Sequence, residues 1–220
     1  MWCASRAVRG GNDGGVAAVL LTLVKVTTTT LQMLQAPDRS PREVPDGVRL
    51  ERTVGVRPEY ARFLYGLVGG PWTWTDRLGW TREQWAEELE VPGTEFWILY
   101  GQDGPWGYVQ LQPVVAVDGT HVEIRYFGLA EQAIGRGLGA VLLEHGVAAA
   151  WSLPQRFDLP QVTRVWVRTC SLDGPAALAN YRARGLVVCG TEESDEDVPS
   201  APLGSWLSTG GPVPSAEPVA

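Results

Sequence analysis

The sequence predicts a single α/β domain, on three observations. Segments of period-2 alternation, which suit pleated strands, are interleaved with segments of helical spacing over residues 47–190. Within them, residues 121–151 run strand, glycine-rich turn and helix without interruption. A chain of 220 residues that is 45% hydrophobic and carries ten Trp also has material for one sizeable core, and a second domain is not expected.

In chain order, Val48-Arg-Leu-Glu-Arg-Thr53 alternates as a first strand. Residues 58–68 have helical spacing, with Pro58 in the first turn and Gly69-Gly70-Pro71 as the stop. An aromatic-rich loop, 72–80, precedes a second helix over 81–89, where Thr81 and Gln84 stand in the capping-box relation. Phe96–Tyr100 and Trp106–Leu111 read as a hairpin turning at 102–105. In residues 121–127, Val122, Ile124 and Tyr126 alternate with Glu123, Arg125 and Phe127. Leu138–Trp151 is too long for a typical strand and apolar nearly all round, apart from Glu144 and His145, so it reads as a largely buried helix. Residues 164–169 alternate again, and 173–185 read as a short helix with Asp173 as N-cap, Pro175 in the first turn and Gly185 as the stop.

The ends differ from this body. Residues 1–46 read as a disordered extension and linker, with translation beginning near Val26 or Met33. The apolar run Val16–Val24 is too short to span a bilayer, no small-x-small cleavage site follows it, and three prolines punctuate 35–46. Residues 191–220 are acidic and rich in Pro, Ser and Gly, the composition of a disordered tail. Of the net charge of −7, Glu192, Glu193, Asp195, Glu196 and Asp197 supply five, so no global field recruits nucleic acid. Cys3, Cys170 and Cys189 have neither disulfide-framework nor metal spacing, which points to a reducing cytoplasm. With only His121 and His145 in the chain, no histidine-based metal site or triad is expected, and without a Gly-x-Ser-x-Gly elbow serine hydrolysis has no support.

Gly135, Gly137 and Gly139 alternate at the start of the buried helix. Glycines there permit left-handed backbone and close approach of a ligand, and the free N–H groups and dipole of a helix start favour negative charge. This is a phosphate cradle. A nucleoside-triphosphate P-loop would need Gly-Lys-[Ser/Thr], and the single lysine, Lys25, lies far upstream. The dinucleotide fingerprint is matched by Gly135-x-Gly137-x-x-Ala140, with Asp158 about 20 residues on. Pro154 and Pro160, however, deny Asp158 a central strand.

The third carrier is coenzyme A, and here residues 121–190 resemble the GNAT superfamily of N-acetyltransferases. The family signature [Gln/Arg]-x-x-Gly-x-[Gly/Ala] fits in two registers, Gln132-x-x-Gly135-x-Gly137 and Ile134-x-x-Gly137-x-Gly139. Further on, Ala177-x-x-x-Tyr181-x-x-x-Gly185-Leu186 is similar to the family's Ala-x-x-x-Tyr-x-x-x-Gly-Phe, while a frequent family Asn is Gly174 here. The order of elements over 47–190 is also the family's. The resemblance implies a mixed, mostly antiparallel twisted sheet flanked by helices, and acetyl-CoA as cosubstrate.

It further implies roles for particular residues. Backbone at Phe127 and Leu129 would pair with the pantetheine arm, and Ile134, Gly135, Arg136, Gly137, Leu138 and Gly139 would form the pyrophosphate cradle. Glu123 would act as base, unless it pairs with Arg125 two residues on. Tyr181 would donate to the departing thiolate, a phenol near pKa 10 facing a thiol near 8.5; otherwise it packs beside Leu178. Family members line the acceptor site with the segment between the first two helices, here Trp72, Trp74, Asp76, Arg77 and Trp80. The tryptophans can hold an amine by cation–π contact with Asp76 as counter-charge, or serve as core. Cys170 reads as a small buried hydrophobe and His145 as a satisfied half-buried residue. The expected function is acetyl transfer from acetyl-CoA to an amine of a small-molecule or peptide acceptor by a monomer or homodimer, without nucleic acid, membrane or metal. The alternative is a non-catalytic module that binds an acyl-CoA.

Overall fold

The computed structural model describes residues 21–210. Seven strands form one sheet in the order β2-β3-β4-β5-β6-β1-β7. They are β1 (Leu21–Met33), β2 (Arg49–Thr53), β3 (Glu95–Tyr100), β4 (Pro105–Ala116), β5 (Gly119–Leu129), β6 (Val162–Cys170) and β7 (Val187–Pro199). Every neighbouring pair is antiparallel except β5 and β6, which run parallel. The sheet is therefore mixed and mostly antiparallel, as expected.

Helices cover both faces. On one lie α1 (Pro58–Gly69) and α2 (Arg82–Leu89), packed through Leu64, Tyr65, Val68, Trp85 and the loop residue Trp74 onto Phe96, Ile98, Tyr108 and Tyr126. On the other lie α3 (Leu138–Trp151) and α4 (Ala177–Ala183), whose Leu142, Leu143, Val147 and Tyr181 meet Val109, Leu111, Val122, Ile124, Val165 and Val167. The alternation of the strands explains most of this division, since successive side chains point to opposite faces. On β5 it breaks after Ile124, so Tyr126 lies on the opposite face from Val122 and Ile124, and the single alternation expected over 122–127 does not hold. Thr81 caps α2 and forms the capping box with Gln84.

Both ends correct the sequence expectation. Residues 21–33, assigned to a disordered extension, form β1, held between β6 and β7, with Leu31 fully buried and Met33 nearly so. The run Val24-Lys-Val-Thr-Thr-Thr-Thr-Leu31 is rich in β-branched residues, which pack well on a pleated surface. Residues 191–199, assigned to a disordered tail, belong to β7, paired with β1 from Leu21↔Pro199 to Gln32↔Val187. Backbone pairing ignores side-chain charge, and the acidic groups of this edge strand stay in water, where Lys25 lies 3.8 Å from both Glu193 and Asp195. Next comes α5 (Gly204–Ser208), seated on α1: Ser205 Oγ donates to the Leu67 carbonyl at 2.9 Å. The predictions for residues 1–20 and 211–220 lie outside the described residues.

Two smaller corrections matter for the site. Asp173 does not cap α4, whose N-cap is Ala176. Asp158 follows a short 3-10 turn, Leu153–Gln155, and not a strand, so the dinucleotide reading loses its acidic partner. Among the described residues no helix is long and apolar enough to cross a membrane, and none of their His, Cys, Asp and Glu side chains group as a metal site.

Candidate active site

The site begins where two parallel strands part. β5 and β6 pair from Thr120↔Val162 to Ile124↔Val167, and no further. At that point β5 also carries an extra residue against β4: Leu111 faces Ile124 and Gln110 faces Tyr126, so Arg125 is bulged out of register. A bulge bends its strand and increases local twist. Beyond it, β5 has β4 as its one strand neighbour among the described residues, and the edge from Arg125 to Leu129 faces a gap. This gap is a cavity of about 590 Å³, lined from β5 by Ile124–Leu129 and from β6 by Val167–Cys170.

Its far end is the glycine turn. Gly135 and Gly137 have φ of +79° and +76°, a left-handed conformation, and a Cβ on either would meet nothing within 4 Å. The glycines are thus required by backbone angle and open onto free space. α3 starts at Leu138 with no side-chain cap, leaving its first N–H groups to other acceptors. Gly135, Gly137, Gly139 and Ile134 line the cavity, as do Phe127 and Leu129. Arg136 and Leu138 do not. The Arg136 guanidinium lies 4.3 Å from the Trp106 ring centre, and Leu138 is buried in the core.

Of the two expected catalytic residues, one is in the cavity. Tyr181 lines it, with its ring 5.7 Å from that of Phe127. Burial, reinforced by the negative charge of Asp173, pushes its phenol well above the ordinary value, so it keeps its proton. Glu123 is buried and is not among the lining residues. Its carboxylate pairs with Arg125 Nη1 at 3.3 Å, and Arg125 Nε in turn meets Glu88 of α2 at 2.6 Å. Burial works against the charge of Arg125, but the bond to Glu88 and the field of Glu123 outweigh it and raise its pKa.

The expected acceptor residues divide in the same way. Trp72 and Trp74 line the cavity on either side of Thr73, a left-handed residue with φ of +62°. Asp76 and Trp80 do not line it. The Asp76 carboxylate accepts from Tyr65 Oη and pairs with Arg77 at 3.5 Å. Trp80 lies under the Arg77 guanidinium, 3.9 Å from its ring centre, and against Trp85. Arg77 is itself buried and donates to Tyr126 Oη at 3.1 Å.

Sequence reasoning missed Asp173, Arg125 and Asn180 as lining residues. Asp173 accepts from Thr169 Oγ1 at 2.7 Å, the Cys170 N–H at 3.0 Å and Trp74 Nε1 at 3.3 Å. It thereby ties the β6–α4 loop across the cavity to the α1–α2 loop. The signal for it, Asp-Gly-Pro before a helix, is also that of an N-cap. Asn180, adjacent to Tyr181 on α4, reaches the Gly139 carbonyl at 3.4 Å.

Known proteins agree with this architecture. No curated protein sequence matches the chain. Among solved structures, a GCN5-related N-acetyltransferase from Sphaerobacter thermophilus aligns with TM-score 0.53 at 16% identity, over 80% of this chain and 53% of its own. An aminoglycoside acetyltransferase from an uncultured soil metagenomic sample aligns with TM-score 0.51 at 14% identity, over 65% and 90%. A tandem GNAT protein from the clavulanic acid biosynthesis pathway gives 0.51 at 17% identity, over 79% and 51%. The chain thus spans about half the length of the first and third of these, and at such identities the likeness is one of fold. The sequence profile of the acetyltransferase (GNAT) family matches residues 49–186, well over half of the 220, and the chain belongs to that family.

Proposed function

We propose that the protein is an acetyl-CoA-dependent N-acetyltransferase that passes the acetyl group directly to an amine. The observation that carries this reading is the cleft: two parallel strands part at Ile124 and Val167, and the gap opens onto an uncapped helix start behind two left-handed glycines. These residues fit coenzyme A. A strand edge with one neighbour turns alternate N–H and C=O groups outward, and Phe127 and Leu129 on that edge suit the amides of a pantetheine arm. Exposed N–H groups around Gly135 and Gly137 suit a diphosphate. When bound, acetyl-CoA supplies a thioester, an acyl group activated toward amines.

The chain's own groups bind, orient and donate. Tyr181, holding its proton, offers an O–H to a departing sulfur. Phe127 packs on its ring and fixes the phenol's direction. We assign no base role to Glu123, whose carboxylate is engaged by Arg125 off the cavity. A small-molecule or peptide acceptor and a cytoplasmic setting complete the proposal. That displacement of Glu123 also favours a second reading, a module that binds acyl-CoA without turnover.

Thermal shift with acetyl-CoA, CoA, NAD and ATP separately tests the cradle. A ligand at about 100 times its Kd adds roughly 2.7 kcal/mol, or several degrees for a domain of this size. Stabilisation by both CoA species alone supports the reading, and response to NAD alone refutes it. Thiol release from acetyl-CoA in the presence of a panel of amines then separates the enzyme from the silent binder.

A further inference from the structure

We propose that Asp173 selects the acceptor: its carboxylate, beside the Trp72 and Trp74 rings, receives the ammonium of a cationic amine. This rests on the acetyltransferase reading above and names its substrate class.

The inference follows from the charges in the cavity. Among the described residues, four charged ones line it: Arg125, Arg168, Asp173 and Arg184. Each arginine already has an anionic partner. Arg125 meets Glu88 at 2.6 Å and Glu123 at 3.3 Å, Arg168 meets Glu192 at 3.2 Å, and Arg184 lies 3.5 Å from Glu144, which it shares with Arg42 at 3.0 Å. Asp173 alone has neutral partners, the hydroxyl of Thr169, the N–H of Cys170 and the indole N–H of Trp74. Among the described residues no cation lies within ion-pair distance of it. Neutral donors satisfy the lone pairs of this half-buried carboxylate without supplying a counter-charge, and burying a charge unpaired is unfavourable. Asp173 is thus the lining carboxylate that lacks a cationic partner among the described residues, and the ligand is what brings one.

The surroundings specify the shape of that ligand. Trp74 meets the carboxylate with its N–H edge, and Trp72, packed on the neighbouring Gly174, offers an electron-rich indole, whose face attracts a cation. Gly174 is what lets Trp72 approach: a Cβ there would lie 3.3 Å from the Trp72 ring, tighter than ordinary contact. The position where the resemblance expects Asn is thus occupied by the residue that admits an indole. Trp74 is bonded to Asp173 through Nε1, so ring and carboxylate are held as one unit. The cavity suits a primary ammonium on an apolar body, such as an arylalkyl amine, over a neutral aromatic amine or an alcohol. Asp173 determines specificity here by holding the cation. To react, the bound ammonium releases one proton to solvent and loses a second as its nitrogen bonds to the acyl carbon and the C–S bond breaks, the departing sulfur leaving as the thiol.

The test uses phenethylamine and its neutral counterpart 2-phenylethanol as probes, titrated calorimetrically into the full chain saturated with CoA. Wild type should bind the ammonium at least about tenfold more tightly than the alcohol, the worth of one partly solvated charged hydrogen bond. Asp173→Asn should abolish that difference, because Asn can turn its oxygen to Thr169 and Cys170 while losing the charge. Asp173→Glu, which keeps the charge, should restore part of it. Equal or undetectable affinity for both probes in wild type would overturn the proposal, as would an Asp173→Asn protein that keeps the preference. Thermal shift with CoA, read before the probes are added, reports separately on the acetyltransferase reading.

Discussion

Tyr181 and Glu123 carry the same kind of sequence evidence, a residue type at a family position, and the folded chain treats them differently. Tyr181 comes off α4 into the cavity beside Phe127, whereas the Arg125 bulge engages Glu123 and leaves it outside. Tyr181→Phe should lower turnover by roughly 100-fold, within the range for loss of a positioned acid, while the Kd for acetyl-CoA stays unchanged by calorimetry. Since burial and Asp173 raise the phenol above its ordinary value, its O–H persists to about pH 10. The substitution should therefore scale the pH–rate profile down between about pH 7 and 10 without moving its midpoints. Gly137 sets a second test. Its φ of +76° with open space around the missing Cβ means that Gly137→Ala is penalised by backbone angle alone. Folding stability should fall by about 1–2 kcal/mol in denaturant titration, and Gly137→Asn should fall less, because Asn tolerates the left-handed region.

At the scale of elements, β1 shows how a strand can be mistaken for an extension. It lies before a proline-marked segment and carries few large apolar residues, yet it fills the position between β6 and β7. Leu31→Ala should cost about 2–5 kcal/mol, as for other buried leucines, in a urea melt. Leu23→Ala, on a residue 65% exposed, should change stability by no more than about 0.5 kcal/mol. Equal effects would mean that β1 is not part of the core. The far end of α3 depends on a different kind of contact. Glu95 is fully buried and binds Arg52 at 2.6 Å, Arg156 at 2.6 Å and Trp97 Nε1 at 2.9 Å. Arg156 also donates to the Ala149 and Ser152 carbonyls at 2.7 and 3.0 Å, so this one carboxylate supports the C-terminal cap of α3. Glu95→Gln should destabilise the protein by about 3–5 kcal/mol, because it leaves charged partners half-satisfied.

Across the whole molecule, the last described segment returns to the first helix. α5 sits on the glycine face of α1, where a Cβ on Gly66 would lie 2.4 Å from the Ser208 carbonyl oxygen. Gly66→Ala should therefore release residues 200–210, seen as new proteolytic cleavage there, while acetyl-CoA binding and the rest of the fold persist. Ser205 Oγ lies 3.4 Å from Glu131 just ahead of the glycine turn, so the same segment closes the molecule beside its site. Among the described strands β7 is an edge, and it carries five carboxylates, a charge density that discourages pairing between copies.

The sequence by itself determined the elements whose signals are local. The capping box at Thr81, the apolar length of 138–151 and the glycines at 135 and 137 each act within a few residues and stand where they were expected, whereas the alternation of 122–127 holds only to Ile124, because the bulge at Arg125 turns Tyr126 to the other face. With the Ala-x-x-x-Tyr pattern, they were enough for the family and for the glycine end of the cavity. Only the tertiary structure decided the rest. Whether Val24–Leu31 is a strand depends on two partners more than 100 residues away, and the acidic residues 192–197 become ordered because β1 is there to pair with them. The exchange of Asp76 for Asp173 as the carboxylate beside the tryptophans has the same cause. Asp76 meets its partners within eleven residues, whereas the Trp74 indole reaches Asp173 across 99, and no spacing in a sequence encodes a contact made through a sheet and two loops.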